Sequence, residues 1–123
     1  MECPLVCNFY FMKNHILCLE TSSTNCSVSI SKKNKIIYTK ESDGEGYKHS
    51  EFLHSFIEES MVNSKIEYHE LMAVSVGIGP GSFTGLRIGL SSAKGICYSK
   101  DIPLITINSL EILAHKYKTI NEE

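Results

Sequence analysis

The chain has 123 residues, 42% of them hydrophobic and 21% charged, which is typical of an ordered globular domain rather than a disordered or membrane-spanning chain. The 12 basic residues nearly balance the 14 acidic ones, which argues against a broad, positively charged surface that binds nucleic acid. The five cysteines form neither a CxxC pair nor a His/Cys cluster, so a reducing cytoplasm is expected rather than a disulfide framework or a zinc site.

The first half of the chain predicts three strands and a helix. The opening MECPLVCNFYF is short and has no basic residue before Lys13, so neither a secretory signal nor a membrane helix is expected there. The β-prone runs ILCLE and CSVSI, around a polar segment at 21–25, predict a hairpin, and KKNK leads into a third antiparallel strand, IIYTK. From Lys48 to about Asn63, apolar residues recur at helical spacing and predict one apolar stripe: Phe52, Leu53, Phe56, Ile57 and Met61.

The second half alternates strands and helices. The run MAVSVGI at 72–78 predicts a buried central strand, and Ser82 is a candidate N-cap for a helix that ends near Ser99. The short strand LITI and a last helix follow, with Asn108 and Glu111 at capping-box spacing. The predicted order β-β-β-α-β-α-β-α indicates an α/β domain with a mixed five-stranded sheet.

The stretch GIGPGSFTGLRIG contains five glycines between residues 77 and 89. A turn from a strand into a helix presents free N–H groups to an anion, so a phosphate site is one interpretation. However, no glycine pair has P-loop spacing, Ser82 stands where a dinucleotide fingerprint needs glycine, and Pro80 removes an N–H donor. Arg87, the one arginine of the chain, could anchor a carboxylate or phosphate, or form an ordinary surface salt bridge.

A second interpretation concerns the helix itself, where Gly85, Gly89 and Ala93 fall every fourth residue and form a ridge almost without side chains. Glycine inside a helix costs roughly 0.5–1 kcal/mol relative to alanine, so a compensating close contact is expected. That contact is either with the domain's own sheet or with another protein. Leucine at position 89 would abolish pairing in the second case and the fold itself in the first.

The string GPGSFTGLRIG, with ILCLETS, HSEFL and IPLITINSLEILA, closely resembles the bacterial TsaB proteins, also called YeaZ. The similarity runs from about Met12 to His115. It implies a ribonuclease H-like, actin-like lobe. It also implies a role in making threonylcarbamoyladenosine in tRNA, as a non-catalytic scaffold that activates the catalytic paralogue TsaD, with a TsaE ATPase as a further partner.

The resemblance also implies how the chain pairs: two helices form a four-helix bundle with TsaD, or with a second copy when TsaD is absent. Contact with tRNA would be indirect, and no metal, cofactor or membrane is implied. Carried onto this sequence, the predicted partner-interface residues are Phe52, Leu53, Phe56, Ile57, Gly85, Leu86, Gly89 and Ala93.

The alternative function is a nucleotide-dependent phosphotransferase or ATPase lobe of the actin and sugar-kinase class. Its candidate anion contacts are Glu20, Thr21, Ser22, Gly79, Gly81 and Ser82. Two departures weigh against this function. Glu20 stands where nucleotide-binding relatives usually have aspartate, and His49 and His54 are five residues apart rather than in the HxxxH spacing of the metal-binding paralogue.

The length of the chain sets the predicted domain organisation. Residues 1–11 precede the family pattern and are expected to be a loose extension. Residues 12–123 are predicted to form the N-terminal lobe of a TsaB-like protein, without the second lobe that such proteins ordinarily have. A single lobe can pair with a partner, but it cannot close around a ligand.

Overall fold

The computed structural model describes residues 14–42 and 49–121. The predicted extension at residues 1–11 lies outside them. Three strands come first, β1 (His15–Glu20), β2 (Cys26–Lys32) and β3 (Lys35–Ser42). They are followed by helix α1 (His49–Ser64), a 3-10 turn (Tyr68–Glu70), strand β4 (Leu71–Gly77), helix α2 (Phe83–Lys100), strand β5 (Leu104–Ile107) and helix α3 (Ser109–Asn121).

The strands form one sheet in the order β3-β2-β1-β4-β5. Strand β2 is antiparallel to both β1 and β3, whereas β4 is parallel to β1 and β5. The predicted α/β class with a mixed five-stranded sheet is confirmed. Helices α1 and α2 each connect two parallel strands, so the two helices also run parallel to each other.

The turn between β2 and β3 shows how the local sequence sets the meander. Lys33 and Asn34 both have positive φ, 50° and 66°. Two successive residues of this kind match the right-handed twist of paired strands, and asparagine tolerates the conformation well. The turn therefore sets the pairing of Lys32 with Lys35 at the end of the hairpin.

The core lies between the sheet and helices α1 and α2. Alternate residues of β1 and β2 are buried, as expected for strands with one face on a core. The buried cluster joins these strands to both helices and to β4; its members include Leu17, Leu19, Val28, Ile30, Leu53, Ile57, Met61, Val74, Val76, Ala93 and Cys97.

Helix α2 begins and ends where its sequence predicts. The Ser82 hydroxyl accepts a hydrogen bond from the Gly85 N–H at 3.3 Å, which confirms the predicted N-cap. Asp101 closes the helix in the left-handed conformation, and its N–H donates to the Cys97 carbonyl. At the start of α3, the Asn108 side chain accepts from the Leu110 N–H at 2.8 Å, which is an N-cap bond to the second helical residue, whereas a capping box uses the third.

His15 makes the stability of the fold depend on pH. Its side chain is buried, and its Nδ1 has no hydrogen-bond partner among the described residues. Burial lowers the pKa of His15 below its ordinary value of 6.5; nearby Lys32 lowers this pKa further, and Glu70 opposes the shift. The unfolded chain therefore binds the proton more readily, so the free energy of unfolding falls as the pH drops below about 6.5.

Replacing His15 with leucine should remove this part of the pH dependence. We expect the wild-type free energy of unfolding to fall more between pH 7.5 and 5.5 than that of His15→Leu. Urea denaturation at both values measures it. If the free energy of unfolding fell equally in the two proteins, the pH dependence could not be assigned to His15.

Candidate partner-binding helices and the glycine-rich loop

The glycine-rich loop lies between β4 and α2, beside the end of β1. Gly79 has a φ of 97°, which favours glycine. Its N–H donates to the Ser109 hydroxyl at 3.1 Å, and its carbonyl accepts from the Ser109 N–H at 2.8 Å. The Ser82 N–H donates to the Ser22 carbonyl at 2.7 Å. Two of the loop's backbone donors are thus already used within the chain.

Glu20 joins the end of β1 to the start of α3 at this edge of the sheet. Its carboxylate accepts from the Ser22 N–H at 3.1 Å and from the Ser109 hydroxyl at 3.3 and 3.4 Å. It lies across Gly77, where a Cβ atom would collide with the carboxylate group. Glu20 therefore joins the end of β1 to the start of α3, and Ser109 in turn binds the glycine-rich loop through Gly79.

The six candidate anion contacts do come together here, but they bond mainly to the chain itself. Besides the bonds of Glu20, Ser22, Gly79 and Ser82, the buried Thr21 hydroxyl donates to the Gly85 carbonyl at 2.7 Å. A Cβ on Gly81 would collide with the Ser22 backbone, so this glycine serves close packing. A carboxylate at the loop also repels phosphate. The geometry favours a structural role over the nucleotide alternative.

Replacing Glu20 with alanine should therefore destabilise the fold. The change leaves the Ser22 N–H and the Ser109 hydroxyl without their acceptor, which costs about 1–3 kcal/mol. Chemical denaturation measures the loss. Glu58→Ala, an exposed carboxylate within α1, is the matched control and should change stability by less than about 0.5 kcal/mol. Equal stability of Glu20→Ala and wild type would contradict the structural role.

The ridge of small residues packs against the chain's own sheet. Gly85, Gly89 and Ala93 are all buried, and a Cβ on Gly89 would collide with the Thr21 hydroxyl. These contacts favour the interpretation of the ridge as a close contact with the domain's own sheet. The missing side chains let α2 approach the end of β1 closely.

Most of the other predicted partner-interface residues are also buried within the chain. Leu53 is fully buried, and Phe56, Ile57 and Ala93 are also buried in the core, so little of their surface faces outward. Phe52 is partly buried and stacks on Phe56, with ring centroids 5.7 Å apart. The helical spacing of these residues predicted correctly that they are buried, and the core of the same chain is what buries them.

Different residues of α1 and α2 face solvent. Between the helices lies an open groove of about 410 Å³, which we call the helix-pair groove; it is lined by His54, Thr84, Arg87, Ile88, Ser91 and Ser92. At the far end of the helices, Val62 and Tyr98 are 70% and 93% exposed. A Cβ on the exposed Gly95 would have nothing within 4 Å. Sequence reasoning missed this surface because small polar residues carry no hydropathy signal.

Arg87 is exposed on the surface of α2. Its guanidinium lies over the Phe83 ring, 5.3 Å from the centroid. Among the side chains that the structure describes, the ion pairs are Lys40 with Glu59 and His69 with Glu67, and neither is the surface salt bridge considered for Arg87.

Two further observations bear on the class of protein. No three His, Cys, Asp or Glu side chains in the described ranges gather into a possible metal site. Among the described helices, none is both long and apolar enough to cross a bilayer.

Comparison with known proteins identifies the family. Residues 45–123, more than half of the chain, match the family model of TsaD, tRNA N6-adenosine threonylcarbamoyltransferase. The chain is also 37% identical over 105 residues to the tRNA threonylcarbamoyladenosine biosynthesis protein TsaB of Buchnera aphidicola subsp. Schizaphis graminum, covering 85% of this chain and 49% of the relative. The chain belongs to the TsaB (YeaZ) family. The resemblance drawn from GPGSFTGLRIG is thereby confirmed.

Relatives of both names support this TsaB-family assignment. A solved structure of YeaZ from Pseudomonas aeruginosa superimposes with a TM-score of 0.75 at 25% identity, over 84% of this chain and 47% of the other. The tRNA N6-adenosine threonylcarbamoyltransferase of Clostridium perfringens strain SM101 is 38% identical over 64 residues, which are 52% of this chain and 19% of that enzyme. The TsaB-family chain thus spans about half the length of the TsaB relative it matches.

Proposed function

We propose that the chain is the N-terminal lobe of a non-catalytic scaffold subunit in tRNA threonylcarbamoyladenosine biosynthesis. It pairs through α1 and α2 with a paralogue like TsaD and thereby activates it. The observation that carries the proposal is the helix-pair groove, which lies open between two parallel helices that both contribute residues to the core.

The groove has the shape that a second pair of helices needs. The exposed side of α2 carries only small side chains or none at Ser91, Ser92 and Gly95. The backbone of another helix can therefore approach closely. Val62 and Tyr98 add exposed apolar area at the far end. Tyrosine is enriched at protein interfaces because it buries a large area with little loss of conformational freedom.

The polar residues at the end of β1 and the start of α3 support the non-catalytic part of the proposal. The side chains of Glu20, Thr21 and Ser109 form hydrogen bonds within the chain, and these bonds give each of them a structural role. The reacting groups would then belong to the paralogue. We extend the proposal to a TsaE-like ATPase as a further partner, to a cytoplasmic location, and to indirect contact with tRNA, since the net charge of the chain is −2.

Calorimetric titration of the chain with its TsaD-like paralogue tests the proposal. We expect a one-to-one complex in buffer without nucleotide, and the same affinity with ATP and magnesium. Modification of tRNA by the paralogue should rise when the chain is added. No binding under either condition would contradict the pairing, and binding only with nucleotide would favour the phosphotransferase class instead. Without the paralogue, the chain is expected to pair with itself.

A further inference from the structure

The turn between β2 and β3 carries a group of positive charges, which we call the lysine turn. It consists of Lys32, Lys33 and Lys35, three of the chain's 12 basic residues within a few positions of one another. All three are exposed. None of the ion pairs found among the described residues includes them. The lysine turn is therefore a basic patch on a chain whose net charge is −2.

The register of the hairpin places two of these charges opposite each other. Lys32 pairs with Lys35, and directly opposed residues of two strands point to the same face of the sheet. Like charges in that position destabilise a pair of strands. A carboxylate from another molecule that lies between the two ammonium groups replaces their repulsion with attraction. The lysine turn is therefore suited to an acidic ligand.

Strand β3, which follows the lysine turn, offers a backbone edge for such a ligand. It is the outermost strand of the sheet on its side, with no further strand beside it within residues 14–42 and 49–121. Half of the N–H and C=O groups of an edge strand point outward and can pair with an added strand. Ile36 and Ile37 are 59% and 45% exposed, and the register shift between Ile30 and Ser31 makes Ile37 the extra residue of a bulge. An added strand would cover exposed apolar area here.

The charge determines which kind of strand fits this edge. Lysine at a sheet edge is a common protection against pairing between copies of one chain. The same lysines attract a strand that carries carboxylates. Because Lys35 and Ile36 are consecutive in β3, their side chains point to opposite faces of the sheet. A strand in which acidic and apolar residues alternate therefore complements both faces at once.

We infer that an acidic, extended segment of a partner protein adds to β3 as a sixth strand of the sheet. Its carboxylates pair with Lys32 and Lys35 on one face, and its apolar side chains cover Ile36 on the other. Hydrogen bonds to the backbone of β3 supply affinity, and the charges supply selectivity. No residue that lines the helix-pair groove takes part, so the inference does not rest on the proposed function.

Binding of a designed peptide tests the inference. The probe is a fluorescein-labelled peptide of eight residues, the length of β3, in which glutamate and valine alternate. Fluorescence anisotropy at about 0.15 M salt measures its dissociation constant for the purified chain. We expect saturable binding, with slower hydrogen exchange of the β3 amides in the complex. The same peptide with every backbone nitrogen methylated keeps its charge but loses its donors, so it should bind at least about tenfold more weakly.

Two charge variants locate the contact. Lys35→Glu should weaken binding of the peptide at least about tenfold, because it places a carboxylate where the peptide needs an ammonium group. It should also raise the urea midpoint, since glutamate then faces Lys32 with opposite charge, so the lost binding cannot result from unfolding. Lys94→Glu makes the same change at an exposed position of α2 and should bind the peptide like wild type.

Four results would overturn the inference. The first is a lack of saturable binding. The second is equal binding of the methylated peptide, since a contact through charge alone is not strand addition. The third is an equal loss of binding in Lys94→Glu and Lys35→Glu, which would make the attraction a matter of net charge. The fourth is tighter binding of an oligouridylate of equal negative charge, which would identify a nucleic-acid site instead.

Discussion

Gly89→Leu is expected to destabilise the domain by about 2–4 kcal/mol. A leucine side chain at this buried position collides with the Thr21 hydroxyl, which itself donates to the Gly85 carbonyl. Overpacking costs about 1–3 kcal/mol, and displacing the hydrogen bond adds about 1 kcal/mol. Small domains have only about 5–15 kcal/mol in total, so much of the stability is lost. Urea denaturation followed by circular dichroism measures the change.

Gly95→Ala on the same helix is the matched control for Gly89→Leu. Its added methyl group enters open space, and alanine favours the helix over glycine by about 1 kcal/mol, so this variant should be slightly more stable than wild type. If Gly89→Leu were a folded monomer of wild-type stability that had lost its partner, the packing of the ridge on the sheet would be contradicted.

Gly95→Leu is expected to separate pairing from folding. The variant should fold at least as well as wild type, because the position is exposed and leucine favours helix. In the proposed complex, however, its side chain occupies the space through which the partner helix approaches. A packing cost of 1–3 kcal/mol corresponds to a rise of about 5- to 150-fold in the dissociation constant for the TsaD-like paralogue. Calorimetric titration measures that constant.

Thr39→Leu provides the control for adding a leucine to the surface. Thr39 is exposed on β3 and pairs with Ser29, which alternates with the buried Val28 and Ile30, so it lies on the sheet face away from α1 and α2. This variant should bind the paralogue like wild type. Wild-type binding by Gly95→Leu would show that the exposed face of α2 one turn beyond Ser91 is not part of the pairing surface, even if pairing itself occurs.

Much of the fold could be predicted from the sequence because its signals are local. The two-residue period of ILCLE and CSVSI, the 3.6-residue period of α1 and the Ser82 cap each involve residues within a few positions of one another. The buried strand β4 was recognisable because its residues are apolar or small on both faces.

The functional surface was harder to predict, for two physical reasons. An apolar stripe shows that residues are buried but not what covers them, so Leu53 and Ala93 were assigned to a partner although the sheet covers them. The bond between Ser109 and Glu20 joins residues 89 positions apart, and no local pattern reports it. Gly95 differs from Gly89 only in the direction it faces, which follows from the packing of the whole helix.

The parallel pairing of β1 with β4 also has consequences for how the chain folds. Short turns connect β1, β2 and β3. The pairing of β4 with β1, in contrast, closes a loop that contains residues 21–70. Closing that long loop costs entropy before any contact forms. The meander is therefore expected to form early and β5 to dock late. Destabilising the turn at Lys33 and Asn34 should slow folding, whereas destabilising β5 should mainly speed unfolding.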